Sequence, residues 1–191
     1  MVSVEVINGD ITRQKVDAIV NAANSSLLGG CGVDGAIHRA AGNALLDECR
    51  IIPNGPKGRC PTGECVITGA GMLPCKKVIH TVGPIYSGSA KDARLLASCY
   101  RNCINAAEDA ALESIAFPNI STGVYGYPKH EAAGIAVTAV RAMLPQSPLI
   151  KRVLFVCFDS ENYRIYQELL AQTLYNRHFF QGIFIKTATR L

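Results

Sequence analysis

Short apolar runs rich in β-branched residues alternate along the chain with longer segments whose apolar residues recur at helical spacing. The short runs predict strands, which lie at Val2–Ile7, Ala18–Val20, Glu64–Thr68, Lys77–Val82, Ser114–Pro118 and Arg152–Phe158. The longer segments predict helices, which lie at Val33–Ala41, Ala44–Arg50, Asp92–Leu112, Lys129–Leu144 and Glu161–Tyr175. Pro128 suits the first residue of its helix, and Ser160 suits a cap.

This alternation of strands and helices predicts the architecture. Several strands are apolar on both faces, which is typical of a sheet covered by helices on both sides. No repeat or linker divides the chain, so we expect one domain over residues 1–176. The remaining segment, residues 177–191, is a tail of unknown role. Within it, His178–Leu191 has the composition of an extra strand or a docking segment.

Composition narrows the possible partners. Of the 191 residues, 49% are hydrophobic and 18% are charged, which is typical of a compact globular domain. The net charge of +4 suits a small anionic ligand. Lys and Arg form no run that favours nucleic acid, and no apolar stretch reaches the roughly 18 residues of a membrane span.

The eight cysteines are scattered, and several lie in apolar segments where Cys behaves as a small hydrophobe. No His lies at a spacing that would complete a zinc site with the close pairs Cys60/Cys65 and Cys99/Cys103. The first ten residues lack the pattern of a secretory signal. We therefore expect free thiols in a reducing cytoplasm, no metal and no cofactor.

Three loops that follow predicted strands have compositions suited to binding. Asn21–Asn24 leads into the glycine-rich Gly29–Gly35, and Ile120–Pro128 joins a strand to a helix. Such loops bring backbone N–H groups and a helix N-terminus to an anion, and Ser121 and Thr122 add hydroxyl groups in the second. In the third loop, Phe158 provides a face on which a base could stack.

Each of these features also has a purely structural interpretation. Glycine-rich loops are often only tight turns, and neither loop fits the P-loop or the dinucleotide-binding pattern. A single Phe158 is more often part of a core. Asp34 could simply cap the helix that begins near it, with His38 one turn later on the same face.

Together these segments resemble the macrodomains, and within them the MacroD-type group that includes the bacterial O-acetyl-ADP-ribose deacetylases. The matching motifs are Gly9–Thr12, Val16–Asn24, Gly32–Gly42, Pro61–Gly63, Val78–Pro84 and Phe117–Pro128. They occur in the family order over about residues 4 to 170. The tail beyond about residue 176 is not part of the pattern.

The resemblance implies a three-layer α/β/α fold with a mixed central sheet and a cleft for ADP-ribose. In that cleft Asp10 would hold the adenine amino group, with the backbone of Ile11 nearby, and Phe158 would pack against the adenine. Asn24 would bind the distal ribose, and Asp34 would lie beside the scissile bond. The diphosphate and the rest of the distal ribose would contact Ala23, Gly32, Val33, Ser121, Thr122, Gly123, Val124 and Tyr125.

Cys31 departs from the family pattern, which usually has four successive glycines where this chain has Gly29–Gly32. Its side chain would lie beside the distal ribose, so it bears on substrate preference more than on the fold. A few macrodomains hold a catalytic zinc through inserted His and Cys ligands, and this sequence contains no such insert.

The implied activity is hydrolysis of an ester at the distal ribose, either of O-acetyl-ADP-ribose or of proteins mono-ADP-ribosylated on Asp or Glu. Asp34 would orient or deprotonate water, a task that the substrate diphosphate could share, while Asn24 holds the ribose. No nucleophile elbow indicates an acyl-enzyme. The alternatives are a non-catalytic ADP-ribose reader and a phosphatase acting on ADP-ribose phosphate.

Overall fold

The computed structural model describes residues 2–172, and a six-stranded sheet lies at the centre of this part of the chain. Its strands are β1 (Ser3–Asn8), β2 (Ala18–Ala22), β3 (Cys65–Gly69), β4 (Lys77–Thr81), β5 (Ser114–Phe117) and β6 (Arg152–Cys157). They lie in the order β1-β6-β5-β2-β4-β3. The strands from β1 to β4 in this order pair in parallel, and β3 pairs antiparallel with β4. The predicted mixed sheet is confirmed.

Helices cover both faces of the sheet. They are α1 (Gly32–Ala41), α2 (Asn43–Ile51), α3 (Ala90–Asp109), α4 (Lys129–Met143) and α5 (residues 160–172). On one face, Ile37 of α1 and Leu45 of α2 share a buried cluster with Ile19 of β2. On the other face, a larger cluster joins α3, α4 and α5 to the sheet, with Tyr100 and Tyr166 at its centre. The predicted three-layer α/β/α fold is confirmed.

The helix ends differ in detail from the predictions. Helix α3 begins two residues before Asp92, because Ser89 and Asp92 form a reciprocal capping box in front of it. The prediction that Ser160 caps the last helix is wrong, because α5 already includes residue 160. The cap is Asp159, whose Oδ1 accepts from the Asn162 N–H at 2.9 Å. Pro128 lies at the N-cap position of α4 rather than inside it.

Two predictions fall outside the described residues: the domain boundary near residue 176 and the role of His178–Leu191. Within residues 2–172, no helix has the length and apolar character needed to cross a membrane.

The parallel strands determine where a ligand can bind. Because they run in one direction, the loops after β1, β6, β5, β2 and β4 all emerge at the same edge of the sheet. In sheets of this class ligands bind beyond that edge. The candidate site is therefore expected there.

Candidate active site

The sequence-predicted site residues line this edge in a fixed order. Asp10 follows β1, Phe158 follows β6, Ser121–Tyr125 follows β5, and Asn24 follows β2. Neighbouring strands are about 4.8 Å apart, so these four loops span roughly 14 Å. The topology thus brings the predicted residues into one elongated row.

Asp10 lies at the β1 end of the row. Its Oδ1 accepts from the backbone N–H of Thr12 at 2.9 Å and from the Thr12 hydroxyl at 2.7 Å. These bonds cap the short 3-10 helix Ile11–Arg13, whose first side chain is buried, so Ile11 presents only its backbone. The Asp10 side chain is 46% exposed, and its Oδ2 is 3.9 Å from the Arg13 Nε. One carboxylate oxygen therefore remains available to an incoming donor.

Phe158 lies beside Asp10 in the row. A hydrogen bond of 2.9 Å from the Gly9 N–H to the Cys157 carbonyl holds the two loops together. Phe158 is 87% exposed, so its interpretation as a core residue is wrong. An aromatic ring held in water at a strand end can offer its face to a planar ligand.

The hydroxyl groups of Ser121 and Thr122 lie in different surroundings. Ser121 is buried with its backbone in the left-handed region (φ +65°), and its Oγ lies against Gly83 without a hydrogen-bond partner among the described residues. Thr122 Oγ1 donates to the Asn119 carbonyl at 3.2 Å. The role of these two hydroxyl groups in binding a ligand stays a prediction.

The backbone N–H groups of the same loop are largely unpaired among the described residues. The loop closes on itself through a 3.0 Å bond from the Tyr127 N–H to the Ser121 carbonyl, while Tyr125 accepts from the Tyr86 N–H at 2.9 Å. In the described part of the chain, no acceptor takes the N–H groups of residues 122–125. Successive free N–H groups in a turn form a concavity suited to an anion, and Val124 beside them is 94% exposed.

The side chain of Asn24 stabilises the loop after β2 through hydrogen bonds. Its Nδ2 donates to the Gly29 carbonyl at 3.0 Å, and its Oδ1 accepts from the Ser26 N–H at 3.0 Å. The buried Ala23 anchors this loop to the sheet through a 2.9 Å bond from its N–H to the Thr81 carbonyl. The Asn24 amide is consequently fixed in place.

Asp34 does not cap its helix. The N-cap of α1 is Cys31, no side chain caps it, and Asp34 lies within the first turn. Its Oδ1 accepts from Asn21 Nδ2 at 2.7 Å and lies 3.5 Å from His38 Nε2. Its Oδ2 has no hydrogen-bond partner among the described residues. The interpretation of Asp34 as a cap is therefore wrong.

The Asp34 carboxylate and the Asn24 amide converge on Gly30. A methyl group at Gly30 would lie 2.9 Å from Asp34 Oδ2 and 3.1 Å from Asn24 Nδ2, so a side chain at this position would crowd both groups. Burial raises the pKa of Asp34, and this effect is opposed by the Asn21 hydrogen bond and by the charge of His38. A carboxylate with a raised pKa is a stronger general base than a solvated one.

Comparison with known proteins identifies the family of this chain. The model of the Macro domain family matches residues 20–136. An O-acetyl-ADP-ribose deacetylase of Klebsiella pneumoniae (strain 342) is 58% identical over 87% of this chain and 95% of that protein. The chain belongs to the macrodomain family.

Solved macrodomains share the fold over nearly the whole described chain. The Oceanobacillus iheyensis macrodomain with ADP superposes with a TM-score of 0.84 at 46% identity, covering 90% of this chain and 91% of that one. The Trypanosoma brucei macrodomain in complex with ADP-ribose gives a TM-score of 0.80 at 42% identity, covering 87% and 68%.

In this macrodomain the N-terminus of α1 faces the same end of the row. The first N–H groups of a helix, here those of Gly32 and Val33, have no intrahelical partner and carry a partial positive charge. Cys31 precedes them with an exposed free thiol. Among residues 2–172, no group of three or more His, Cys, Asp or Glu side chains is placed to hold a metal ion.

Sequence reasoning missed two residues of this macrodomain site. Asn21 and His80 are fully buried and are register partners on the parallel strands β2 and β4. Both lie within motifs of the family pattern, but neither motif by itself gives them a role. The available signal was a polar residue directly after one apolar run (Asn21) and inside another (His80), because a buried polar group needs a partner.

Proposed function

We propose that this macrodomain binds ADP-ribose along the sheet edge and hydrolyses an ester at its distal ribose. The observation that carries the proposal is the convergence of the buried Asp34 carboxylate and the Asn24 amide at one end of a row of binding features. The Klebsiella relative named O-acetyl-ADP-ribose deacetylase and the solved macrodomains with ADP and ADP-ribose support it.

The order of the row fits the order of groups in ADP-ribose. The free Oδ2 of Asp10 can accept from the exocyclic amino group of adenine, and the exposed Phe158 ring can pack on the base. The N–H groups of residues 122–125 can bind the diphosphate without Lys or Arg, with Tyr125 against the distal ribose. The distal ribose then reaches Asn24 and, beside it, Asp34.

The reaction requires a water molecule, a base and a place for negative charge. Asp34 Oδ2 orients the water and takes its proton as the water oxygen bonds to the acyl carbon. The N–H groups of Gly32 and Val33 are the nearest helix-end donors for the developing oxyanion. The acyl C–O bond to the ribose then breaks, and the proton passes to the ribose oxygen. The products are a carboxylic acid and ADP-ribose.

O-acetyl-ADP-ribose and Asp- or Glu-linked mono-ADP-ribosylated proteins both present this ester bond, so we propose both as substrates and de-ADP-ribosylation as a role. The eight cysteines carry free thiols, which fits the proposed reducing, cytoplasmic setting. Cell fractionation would test that location. Limited proteolysis near residue 176 would test whether residues 1–176 form the domain and residues 177–191 a separate tail.

The deciding experiment incubates the protein with O-acetyl-ADP-ribose and, separately, with Glu-linked ADP-ribosylated protein, and follows the release of acetate and of ADP-ribose. We expect turnover of at least the first substrate. Binding of ADP-ribose by calorimetry without any turnover would replace the hydrolase with a reader. Release of phosphate from ADP-ribose phosphate, with both esters intact, would replace it with a phosphatase.

A further inference from the structure

A buried chain of polar side chains runs behind Asp34, away from the cleft. Asn21 on β2 and His80 on β4 are 0% exposed, and Thr68 on β3 is 5% exposed. Asn21 Nδ2 lies 2.7 Å from Asp34 Oδ1 and 3.1 Å from His80 Nδ1. On the far side of the ring, His80 Nε2 lies 2.9 Å from Thr68 Oγ1. The chain thus links helix α1 to three neighbouring strands.

When Asp34 is ionised, the donors and acceptors along this chain have one consistent arrangement, in which Asn21 Oδ1 has no partner among the described residues. An ionised Asp34 only accepts, so Asn21 must turn its N–H2 group toward it. The second hydrogen of that group points to His80 Nδ1, which must therefore be unprotonated. The ring proton then lies on Nε2 and is donated to Thr68 Oγ1. The Thr68 hydroxyl hydrogen goes on to the Gly69 carbonyl at 2.9 Å.

The surroundings keep His80 neutral. Burial, aided by the charge of His38, lowers the pKa of His80 to about 3. The other titratable groups near this region include His38 on α1, 3.5 Å from Asp34, Cys49 on α2, 3.8 Å from His80 Nε2, and the buried Cys60, whose Sγ lies 4.0 Å from the His80 carbonyl. Burial, followed by the charge of Asp34, raises the pKa of the Cys49 thiol to about 11, so Cys49 is also neutral near pH 7.

A set of buried polar groups is costly unless every member is paired, and its usual benefit is a unique arrangement of the groups that it holds. Here the fixed N–H2 group of Asn21 determines which oxygen of Asp34 faces inward. The other oxygen, Oδ2, is buried beside Gly30 and Asn24 and has no hydrogen-bond partner among the described residues. The chain of bonds therefore determines which carboxylate oxygen is left without a partner in the described part of the chain.

We propose that Asn21, His80 and Thr68 are positioning residues that hold the Asp34 carboxylate in its reactive orientation. This inference rests on the proposed function. Thr68 has no contact with Asp34 and acts only through His80 and Asn21. Loss of its hydroxyl leaves the His80 Nε2–H only the weak sulfur acceptor of Cys49, 3.8 Å away, and favours the Nδ1–H tautomer. In that tautomer the Nδ1–H and the Asn21 N–H2 group are two donors that face each other. Their repulsion displaces the Asn21 amide and weakens its hydrogen bond to Asp34.

The test compares Thr68→Val, which keeps the shape and removes the hydroxyl, with Thr68→Ser, which keeps the hydroxyl. For Thr68→Val we expect kcat to fall by about 10- to 100-fold, the range for misplacing a reacting group. We expect KM and ADP-ribose affinity to stay within twofold of the parent, roughly a 0.4 kcal/mol change at RT of about 0.59 kcal/mol. Thr68→Ser should retain the parent kcat.

The dependence of kcat on pH distinguishes a positioning role of Thr68 from a role in packing alone. The Asn21 hydrogen bond lowers the pKa of Asp34, so weakening it should shift the acid limb of kcat upward by about one pH unit in Thr68→Val. It should not shift in Thr68→Ser. Equal kcat and equal acid limbs in the two variants would overturn the inference, as would equal losses in both.

If Thr68→Val does not fold, the inference can still be tested on the parent protein without substrate. Nitrogen-15 NMR of the His80 ring shows which of its two nitrogen atoms carries the proton. His80 should show a protonated Nε2 and an unprotonated Nδ1 from pH 5 to 8. An Nδ1–H tautomer or an imidazolium in that range would contradict the inference. Absence of hydrolysis by the parent would overturn the proposed function alone, because the His80 tautomer is read without substrate.

Discussion

The two ends of the cleft each present a carboxylate, in opposite surroundings. The Asp10 side chain is 46% exposed and is held by Thr12, two residues away. The Asp34 side chain is 4% exposed and is held by Asn21, thirteen residues away, and through it by His80 on a neighbouring strand. One end is built from local turn geometry, and the other depends on the assembled sheet.

This difference suits different tasks. A half-exposed carboxylate remains hydrated and ready to accept a hydrogen bond from a ligand, which is a binding task. A buried carboxylate with a raised pKa and one unpaired oxygen is poised to take a proton. We therefore expect changes at Asp10 to alter affinity and changes at Asp34 to alter turnover.

The largest expected effect is the loss of turnover in Asp34→Ala, by roughly 10²- to 10⁴-fold, the usual range for a general base. ADP-ribose affinity should change far less, because Asp34 acts on water rather than on the adenine or the diphosphate. Single-turnover kinetics and calorimetry on Asp34→Ala and on the isosteric Asp34→Asn measure both quantities. Parent-like turnover in either variant would remove Asp34 from the reaction.

The buried end should also be the acid-sensitive end. The pKa of His80 is 6.5 when unfolded and about 3 when folded, so below pH 6.5 the unfolded chain binds the extra proton and stability falls as the pH drops. The loss between pH 6.5 and 4.5 should be about 2 kcal/mol. Because the pKa of Asp34 is raised, its contribution to stability increases as the pH drops and partly offsets that of His80. The variant His80→Asn retains Asp34 and is therefore the reference that isolates the contribution of His80. Urea unfolding at both pH values should show a smaller loss in His80→Asn.

At the exposed end, Asp10→Ala should weaken ADP-ribose binding by about 1.5–3 kcal/mol, the value of a hydrogen bond to a charged group. Turnover at saturating substrate should remain. Because Asp10 also caps the 3-10 helix, Asp10→Asn is the matched control: it keeps an oxygen for the cap and loses the charge. If calorimetry gives Asp10→Ala the parent affinity, the adenine is bound elsewhere.

Phe158→Ala should weaken ADP-ribose binding by about 1–3 kcal/mol, the contribution of stacking a base on an aromatic ring. The melting temperature should not fall, because the ring is 87% exposed. Phe158→Tyr keeps the ring and should bind like the parent. A lower melting temperature with unchanged affinity would instead give Phe158 a structural role.

The smallest expected effect concerns Cys31. Its thiol is exposed beside the reacting end, so an alkylating reagent should slow hydrolysis and bound ADP-ribose should protect the thiol. Mass spectrometry of the labelled protein, read with its activity, tests both statements. Complete labelling with full activity would place Cys31 away from the bound substrate.

The sequence predicts the exposed end of the cleft better than the buried end. The local sequence predicts that Asp10 follows one strand and that Phe158 follows another. Because parallel strands end at the same edge of a sheet, both residues can be assigned to that edge. The pairing of Asn21 with His80 joins residues 59 positions apart. It depends on the register between β2 and β4, which periodicity does not encode.

The same limit applies to the finer details of the loops and helix ends. The orientation of the Ser121 and Thr122 hydroxyls follows from a left-handed backbone at Ser121 and from the neighbouring Gly83 and Asn119. Residue type alone does not reveal either. Asp159 and Ser160 are both good caps, and only the observed start of α5 selects Asp159.

The glycine loop also has a consequence for mutational tolerance. Gly29 and Gly32 have φ values of +87° and +60°, and a side chain at Gly30 would collide with Asp34 and Asn24. Cys31 has an ordinary extended backbone (φ −97°, ψ 176°) and an exposed side chain. Of these four positions, residue 31 is therefore the one at which substitutions can accumulate by drift. A laboratory library randomised over residues 29–32 should accept side chains at residue 31 while the flanking glycines stay fixed.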